Sequence, residues 1–452
     1  MSEPTPPTPR RTLGDSLTLH TLIVGALILL MLIPLFMVSQ VIQERARYHQ
    51  QTLDEVARTW GQRQTLAGPV LVIPYVEHFT SVDTVTDNNG ESRVVTKDVY
   101  NEYTTLLLPE ELDISAEVRE EHRQRGIYDA LVYTATLKVD GSFDHEFLLE
   151  AEEGERRILW EQAFLMIGLS DTKGVAAGSS LEWDGDEVEL QPGTRLPAVL
   201  AQGLHVPLNA DSGENTRHHF ALTLELRGSD GLFFAPLGRI TSINMDSGWP
   251  HPSFQGDLLP DTHEIGAAGF KAEWAISNLA RNYPQHWQLQ EQASPYDLNA
   301  FSTGVSLYQP ASLYTTVERA VKYGILFVAL TFMTFFAFEI ASGLRLHVLQ
   351  YGLIGTALAL FYLSLLALAE HLPFQEAYRA AAAIVVGMIW LYAWAVLRSF
   401  WKGLLILLIL GGLYTLLYFI LQLEDYALAA GTGLLLLTTL MMMLVTRRIQ
   451  RT

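Results

Sequence analysis

The chain has 452 residues, no cysteine and a formal charge of −19, with 49% apolar side chains. Without cysteine, disulfides, thiolate catalysis and Cys-ligated zinc are excluded. The acidic balance excludes nucleic acid as a partner, because phosphate binding needs clustered Lys and Arg. That charge is unevenly placed: residues 43–322 hold 42 acids against 21 Lys and Arg, giving −21, while the remainder carries +2. An acidic part that faces water therefore adjoins an almost neutral apolar part.

In chain order, residues 1–18 form a tail whose start is rich in Pro and Thr and lacks apolar periodicity, which predicts disorder. Residues 19–42 are apolar for longer than a signal-peptide core and are followed by no small-residue cleavage site, so they read as an uncleaved signal anchor, with Pro34 placed to kink it. Beyond it, Ile42, Ala46, His49, Leu53, Val56 and Trp60 recur at steps of four and three. They mark one face of a helix that continues as a stalk until Gly61 and packs on the domain it carries.

From Gly61 the pattern changes to strands. Runs at 69–75 (PVLVIPY), 100–107, 128–143, 270–276 and 305–308 carry β-branched or alternating residues bounded by Gly and Pro. Residues 181–190 predict a hairpin turning at Asp184 and Gly185, and residues 220–236 predict another around Gly228–Gly231. This predicts one or two β-sandwich-like units over 43–322, with a helix at 311–321 leading into the next apolar run. Five further apolar stretches follow, at 323–341, 348–368, 380–397, 403–421 and 426–446, each near the roughly 20 residues that a bilayer core requires.

Orientation follows from Lys and Arg near these spans. Arg345, then Arg398 and Lys402, then Arg447, Arg448 and Arg451 occupy one set of loops and the C-terminal tail. The alternate loops hold Glu370 and Glu376, with Arg379 as their one cation, and then Glu424 and Asp425. Basic loops stay in the cytoplasm, so both termini are expected inside and residues 43–322 outside, in the periplasm of a Gram-negative cell.

No phosphate loop, H-E-x-x-H, G-x-S-x-G or EF-hand pattern occurs. His218 and His219 are adjacent on a strand and point to opposite faces, which argues against joint metal ligation. Asp184 and Asp186 read as turn-forming acids rather than calcium ligands. The run 247–254 (SGWPHPSF), with Gly256 and Asp257, is the most unusual composition outside the apolar spans. Two prolines around His251 fix an extended backbone, and Trp249 and Phe254 serve as anchors. It reads as a partner- or ligand-binding loop or, the reading its composition favours, as a rigid buried connection with a hydrogen-bonded imidazole. In the apolar spans Glu339, near one end of the second, is expected to reach water or pair with Arg345, and Glu370 and His371 close the third. None of the three is at a midplane, where ionisable residues point to proton pathways.

Several stretches resemble the CreD family of inner membrane proteins, described as cell envelope integrity proteins. They include VIQER at 41–45, GPVLVIP at 68–74, GIY at 126–128, Ser170 and Asp171, WPHPSF at 249–254 with Gly256 and Asp257, RAVKYG at 319–324, LTFM at 330–333, Phe338 with Glu339, and Glu370 with His371. The resemblance implies a stress-linked envelope protein associated with colicin tolerance and β-lactam response, without an enzymatic activity or a cofactor. Residues and resemblance together predict an α + β membrane protein. Six transmembrane helices carry a large β-rich periplasmic domain between helices 1 and 2. Its expected partners are the lipid bilayer and an envelope protein or cell-wall component. The alternative is a transporter or lipid-handling protein working through the five-helix block; an exported hydrolase has no nucleophile–base signature behind it. The candidate functional residues are Trp249, His251, Asp257, Glu339, Glu370 and His371.

Overall fold

The computed structural model describes residues 17–86, 92–149, 155–208, 215–289, 293–307, 313–342, 346–423 and 429–434, with single positions 436, 440 and 443. The chain divides into two compact units, one of Met1–Gln50 with Ala311–Thr452 and one of Gln51–Pro310.

The first unit is helical: α1 (Leu17–Leu30), the start of α2 (Leu32–Trp60), α3 (Leu313–Ser342), α4 (Val348–Ala369), α5 (Phe374–Leu397) and α6 (Phe400–Gln422). Among the described residues five helices are long and apolar enough to cross a bilayer, α1 and α2 counting as one from His20 to Trp60. The expected sixth span, 426–446, and the tail at 1–16 lie largely or wholly outside the described residues. Pro34 has no N–H to give the Leu30 carbonyl, and the helix breaks at Met31, one turn before it. Leu22, Leu29, Ile33, Phe36 and Met37 lie largely exposed along this helix, as residues do when the surrounding solvent is hydrocarbon. The helices outrun the apolar runs read from the sequence. α3 begins ten residues and α5 six residues before the expected spans, because a helix keeps its hydrogen bonds across the interface while its composition turns polar.

The second unit holds eighteen strands among the described residues. They are β1 (Gln64–Thr86), β2 (Ser92–Leu107), β3 (Glu111–Arg125), β4 (Tyr128–Asp144), β5 (Glu155–Ile158) and β6 (Phe164–Leu169). Then come β7 (Ser180–Trp183), β8 (Asp186–Val188), β9 (Gln191–Pro192), β10 (Gly203–Pro207), β11 (Arg217–Ser229) and β12 (Gly231–Ala235). Last are β13 (Ile240–Ser247), β14 (Pro252–Gly256), β15 (Thr262–Gly266), β16 (Gly269–Ser277), β17 (His286–Gln288) and β18 (Thr303–Leu307). A ten-stranded sheet runs β14-β18-β12-β1-β6-β10-β9, with β2, β5 and β17 off this path, and an eight-stranded sheet runs β15-β16-β13-β3-β4-β11-β7-β8. Buried residues of both sheets form one continuous core, so the unit is a single two-sheet packing.

Register explains the core. In the eight-stranded sheet Ile114, Val139 and Leu222 stand in one row across β3, β4 and β11, followed by Ala116, Leu137 and Leu224 in the next inward row. Their sequence neighbours on β3, such as Asp113 and Glu117, face out. β6 and β12 are buried at every position, so they show no alternation. Asp184 and Gly185 turn between β7 and β8 with φ of 51° and 91°, as a two-residue hairpin requires. The second expected hairpin is not one. β11 pairs with β4 and β7 in the eight-stranded sheet, whereas β12 pairs with β1 and β18 in the other. The turn around Asp230 therefore carries the chain from one sheet to the next, because the fully apolar β12 needs cover on both faces.

The last turns of α2 dock on this unit. Leu53, Val56 and Trp60 pack against Ala130 and Val132 of β4, and the Trp60 indole N–H donates to the Tyr133 carbonyl at 3.3 Å. The Arg123 and Arg227 guanidinium groups lie 4.1 and 4.8 Å from the Trp60 ring, and Arg125 pairs with Glu55 at 2.7 Å. Gly61 ends the helix where a Cβ would stand 2.3 Å from the Arg227 carbonyl oxygen. Trp60→Ala is expected to lower the stability of this unit by about 2 kcal/mol through lost packing and cation–π contact. Denaturant unfolding of the purified chain, with Trp60→Phe recovering part of the loss, measures it.

Candidate functional site

A carboxylate held among apolar helices must be met by donors, because the side chains around it supply none. Glu339, in the last turn of α3, is buried at 7% exposure. It is met from three directions. His20 of α1 places Nε2 3.1 Å from Oε2, the Tyr351 hydroxyl of α4 donates to the same oxygen at 2.7 Å, and the Leu346 backbone N–H donates to Oε1. The first turn of α4 is fixed locally by a capping box. The His347 side chain accepts from Leu349 N–H while the Gln350 side chain accepts from His347 N–H, which sets Tyr351 one turn further along. The His20 ring also stacks on Phe336 at 6.0 Å. Its donors enclose Glu339, so of the two expected outcomes water is not its partner; the other, a pair with Arg345, lies outside the described residues.

Glu370 caps the other end of α4. It accepts from the Tyr314 hydroxyl of α3 at 3.3 Å and lies 3.8 Å from Arg45 Nε of α2, with its side chain 9% exposed. The His49 ring packs 5.4 Å from Tyr314. His371 is exposed, and its backbone N–H closes the helix on Leu368, so these neighbours do not act as a pair. Both ties use α3, whose first turn holds Tyr314 and whose last turn holds Glu339. They lie roughly 37 Å of helix apart, against a hydrocarbon thickness of about 30 Å.

In the second unit the WPHPSF run leads into β14, the edge strand of the ten-stranded sheet. Pro252 is its first residue, where a missing N–H is tolerated. Trp249 donates from Nε1 to the His251 carbonyl at 3.1 Å, and the two rings meet edge-on at 5.9 Å. Phe254 anchors the strand against Phe270 and Trp274 at 5.8 and 6.0 Å. Asp257 accepts from Ser302 N–H at 2.9 Å while its own N–H donates to the Ser302 carbonyl, which makes it a pin for the loop. His251 is exposed. The buried imidazole expected there is therefore corrected: the prolines fix the backbone, and the ring is left outside. Trp249 and His251 thus precede β14 and Asp257 follows it in one unit, and Glu339 and Glu370 occupy opposite ends of the other.

Sequence reasoning missed the partners His20, Tyr351, Arg45 and Tyr314, although a lone histidine opening an apolar run is a readable signal. It also missed a buried pair of histidines. His145 and His218, each 2% exposed, stack with ring centres 5.3 Å apart and planes within 10°. Trp183 stacks on His218 at 5.0 Å and Trp160 meets His145 edge-on at 4.9 Å. His218 Nδ1 is 2.6 Å from Asp184 Oδ2, and Asp184 also accepts from His219 N–H. Among the described residues, His145 Nδ1 and His218 Nε2 are buried without a partner. Burial, reinforced by the neighbouring His218, pushes the His145 imidazole down to about 4.

The family described as "Inner membrane protein CreD" matches residues 16–451. The chain is 34% identical over 422 residues to the inner membrane protein CreD of Escherichia coli strain K12, covering 93% of this chain and 91% of that protein. Among solved structures, an M1 zinc metallopeptidase from Deinococcus radiodurans matches 44% of this chain and 42% of that one at 12% identity, with a TM-score of 0.21. A likeness that slight carries no argument about fold or activity.

His145 sets a pH dependence. His145 is held neutral in the folded chain, with its pKa near 4, and returns to about 6.5 when unfolded. Its contribution is present above pH 6.5 and is lost as pH falls toward 4, at up to ~1.4 kcal/mol per unit. Melting temperatures of the purified chain across this window are expected to fall with acid, and His145→Leu to flatten that fall.

Proposed function

Because the chain belongs to the CreD family of inner membrane proteins, we propose that it supports envelope integrity and the envelope stress response without catalysing a reaction. In this reading six helices cross the inner membrane and both termini lie in the cytoplasm. Residues 43–322 stand in the periplasm and contact an envelope protein or a cell-wall component. No cofactor or metal takes part. The observation that carries the reading is how the acids of the helical unit are used. Glu339 and Glu370 are each held by side chains from two other helices, so they are spent on closing the block rather than on chemistry. The exposed His251, braced beside Trp249 just before an edge strand, supplies a contact surface on the other unit. A second reading, a transporter or lipid-handling protein, is favoured by a slot between α5 and α6.

The cysteine-free chain suits a labelling test of the topology. A single Leu279→Cys, at an exposed position, is expected to react with an impermeant maleimide in intact cells, and Ser399→Cys, between α5 and α6, only after permeabilisation. The reverse pattern contradicts the topology. For function, Trp249→Ala with His251→Ala is expected to abolish survival under β-lactam or colicin challenge at normal membrane abundance. Survival with the altered loop, but not with Glu339→Gln at equal abundance, would favour the transporter reading.

A further inference from the structure

The two-residue turn between α5 and α6 makes them antiparallel neighbours, yet they do not close fully on one another. A slot of about 490 Å³ lies between them, within the size range of ligand sites. Its floor is the rings of Tyr378 and Tyr414. The Tyr378 hydroxyl donates to the Tyr414 carbonyl at 2.6 Å, so that hydroxyl is satisfied and its ring is left as apolar surface. The rims are low because Ala383 and Gly411 stand there, and a Cβ built on Gly411 meets nothing within 4 Å. At the mouth, Arg379 lies in the second turn of α5 beside Gln375. It is exposed, donates from Nε to the Gln375 carbonyl at 3.2 Å and has no carboxylate partner among the described residues.

An apolar slot that opens sideways from a membrane helix is solvated by acyl chains, since water gains no hydrogen bonds there. The cation at its interfacial end then selects among headgroups, because a guanidinium pairs with a phosphate through two parallel hydrogen bonds. We propose that this slot is a specific lipid site. One chain of an anionic phospholipid lies over Tyr378 and Tyr414, and its phosphate sits on Arg379, in the leaflet at the Glu370 end of the block. The site gives Arg379 the counter-charge that its own helices withhold. It does not depend on which side of the membrane carries the β-rich unit.

The test uses the full chain in phosphatidylcholine nanodiscs doped with a phosphatidylglycerol that carries a photoreactive diazirine in its acyl chain. After illumination, adducts are expected to concentrate on peptides covering 378–386 and 411–418 and to be competed by unlabelled phosphatidylglycerol but not by phosphatidylcholine. Arg379→Gln is expected to lower the yield roughly tenfold, the worth of one charge-assisted contact, while Arg398→Gln leaves it unchanged. Gly411→Leu and, from the other helix, Ala383→Leu fill the slot and are expected to remove the adducts while the chain stays monodisperse. Adducts spread evenly around the helices, slot peptides left unlabelled, or a yield that survives both the charge and the filling substitutions would overturn the proposal.

Discussion

The helical unit depends on one constraint: a carboxylate buried among apolar side chains has to be met by donors from its own protein. Glu339 meets it with a histidine, a tyrosine and a backbone N–H drawn from α1, α4 and the connection before α4. Glu370 meets it with Tyr314 and Arg45. Each tie joins the N-terminal helix to segments that follow it by some 300 residues of sequence. The apolar surfaces between the ties give helix association little direction in lipid, where one hydrocarbon side chain is much like another. Two polar contacts at opposite ends of α3 therefore fix register, much as a single buried polar residue fixes it in a coiled coil.

The second unit follows ordinary aqueous rules. Its sheets bury a shared core, its outward rows carry the acids that set the chain's net charge, and it has no disulfide to lean on. The exposed His251 is not among the residues that hold the fold. His251 projects just before β14, a strand held by Phe254 within it and by Asp257 at its end. A residue placed this way can change without loosening the sheet behind it.

How much was legible follows the same physics. Spans were readable because hydrocarbon demands long unbroken apolar runs, and strands such as β4 and β16 because one face alternates with water. β6 was missed because a strand buried on both faces has no alternation to show. The segment 220–236 was misread because a glycine-rich turn fits a hairpin and a passage between sheets equally well; only the uniformly buried β12 separates the two. The candidate acids were found from composition alone. Their donors were not, because His20 and Glu339 lie 319 positions apart and no local pattern couples them. The stacked His145 and His218 were invisible for the same reason.

Whether the contact between His20 and Glu339 holds the helices together is read from a double-mutant cycle in lipid nanodiscs. His20→Ala, Glu339→Ala and the double variant are unfolded under the same conditions. The account predicts that the two losses fail to add by about 1–3 kcal/mol, the second substitution costing little once the first is made. Losses that add within about 0.5 kcal/mol would show that the two side chains do not hold the helices together.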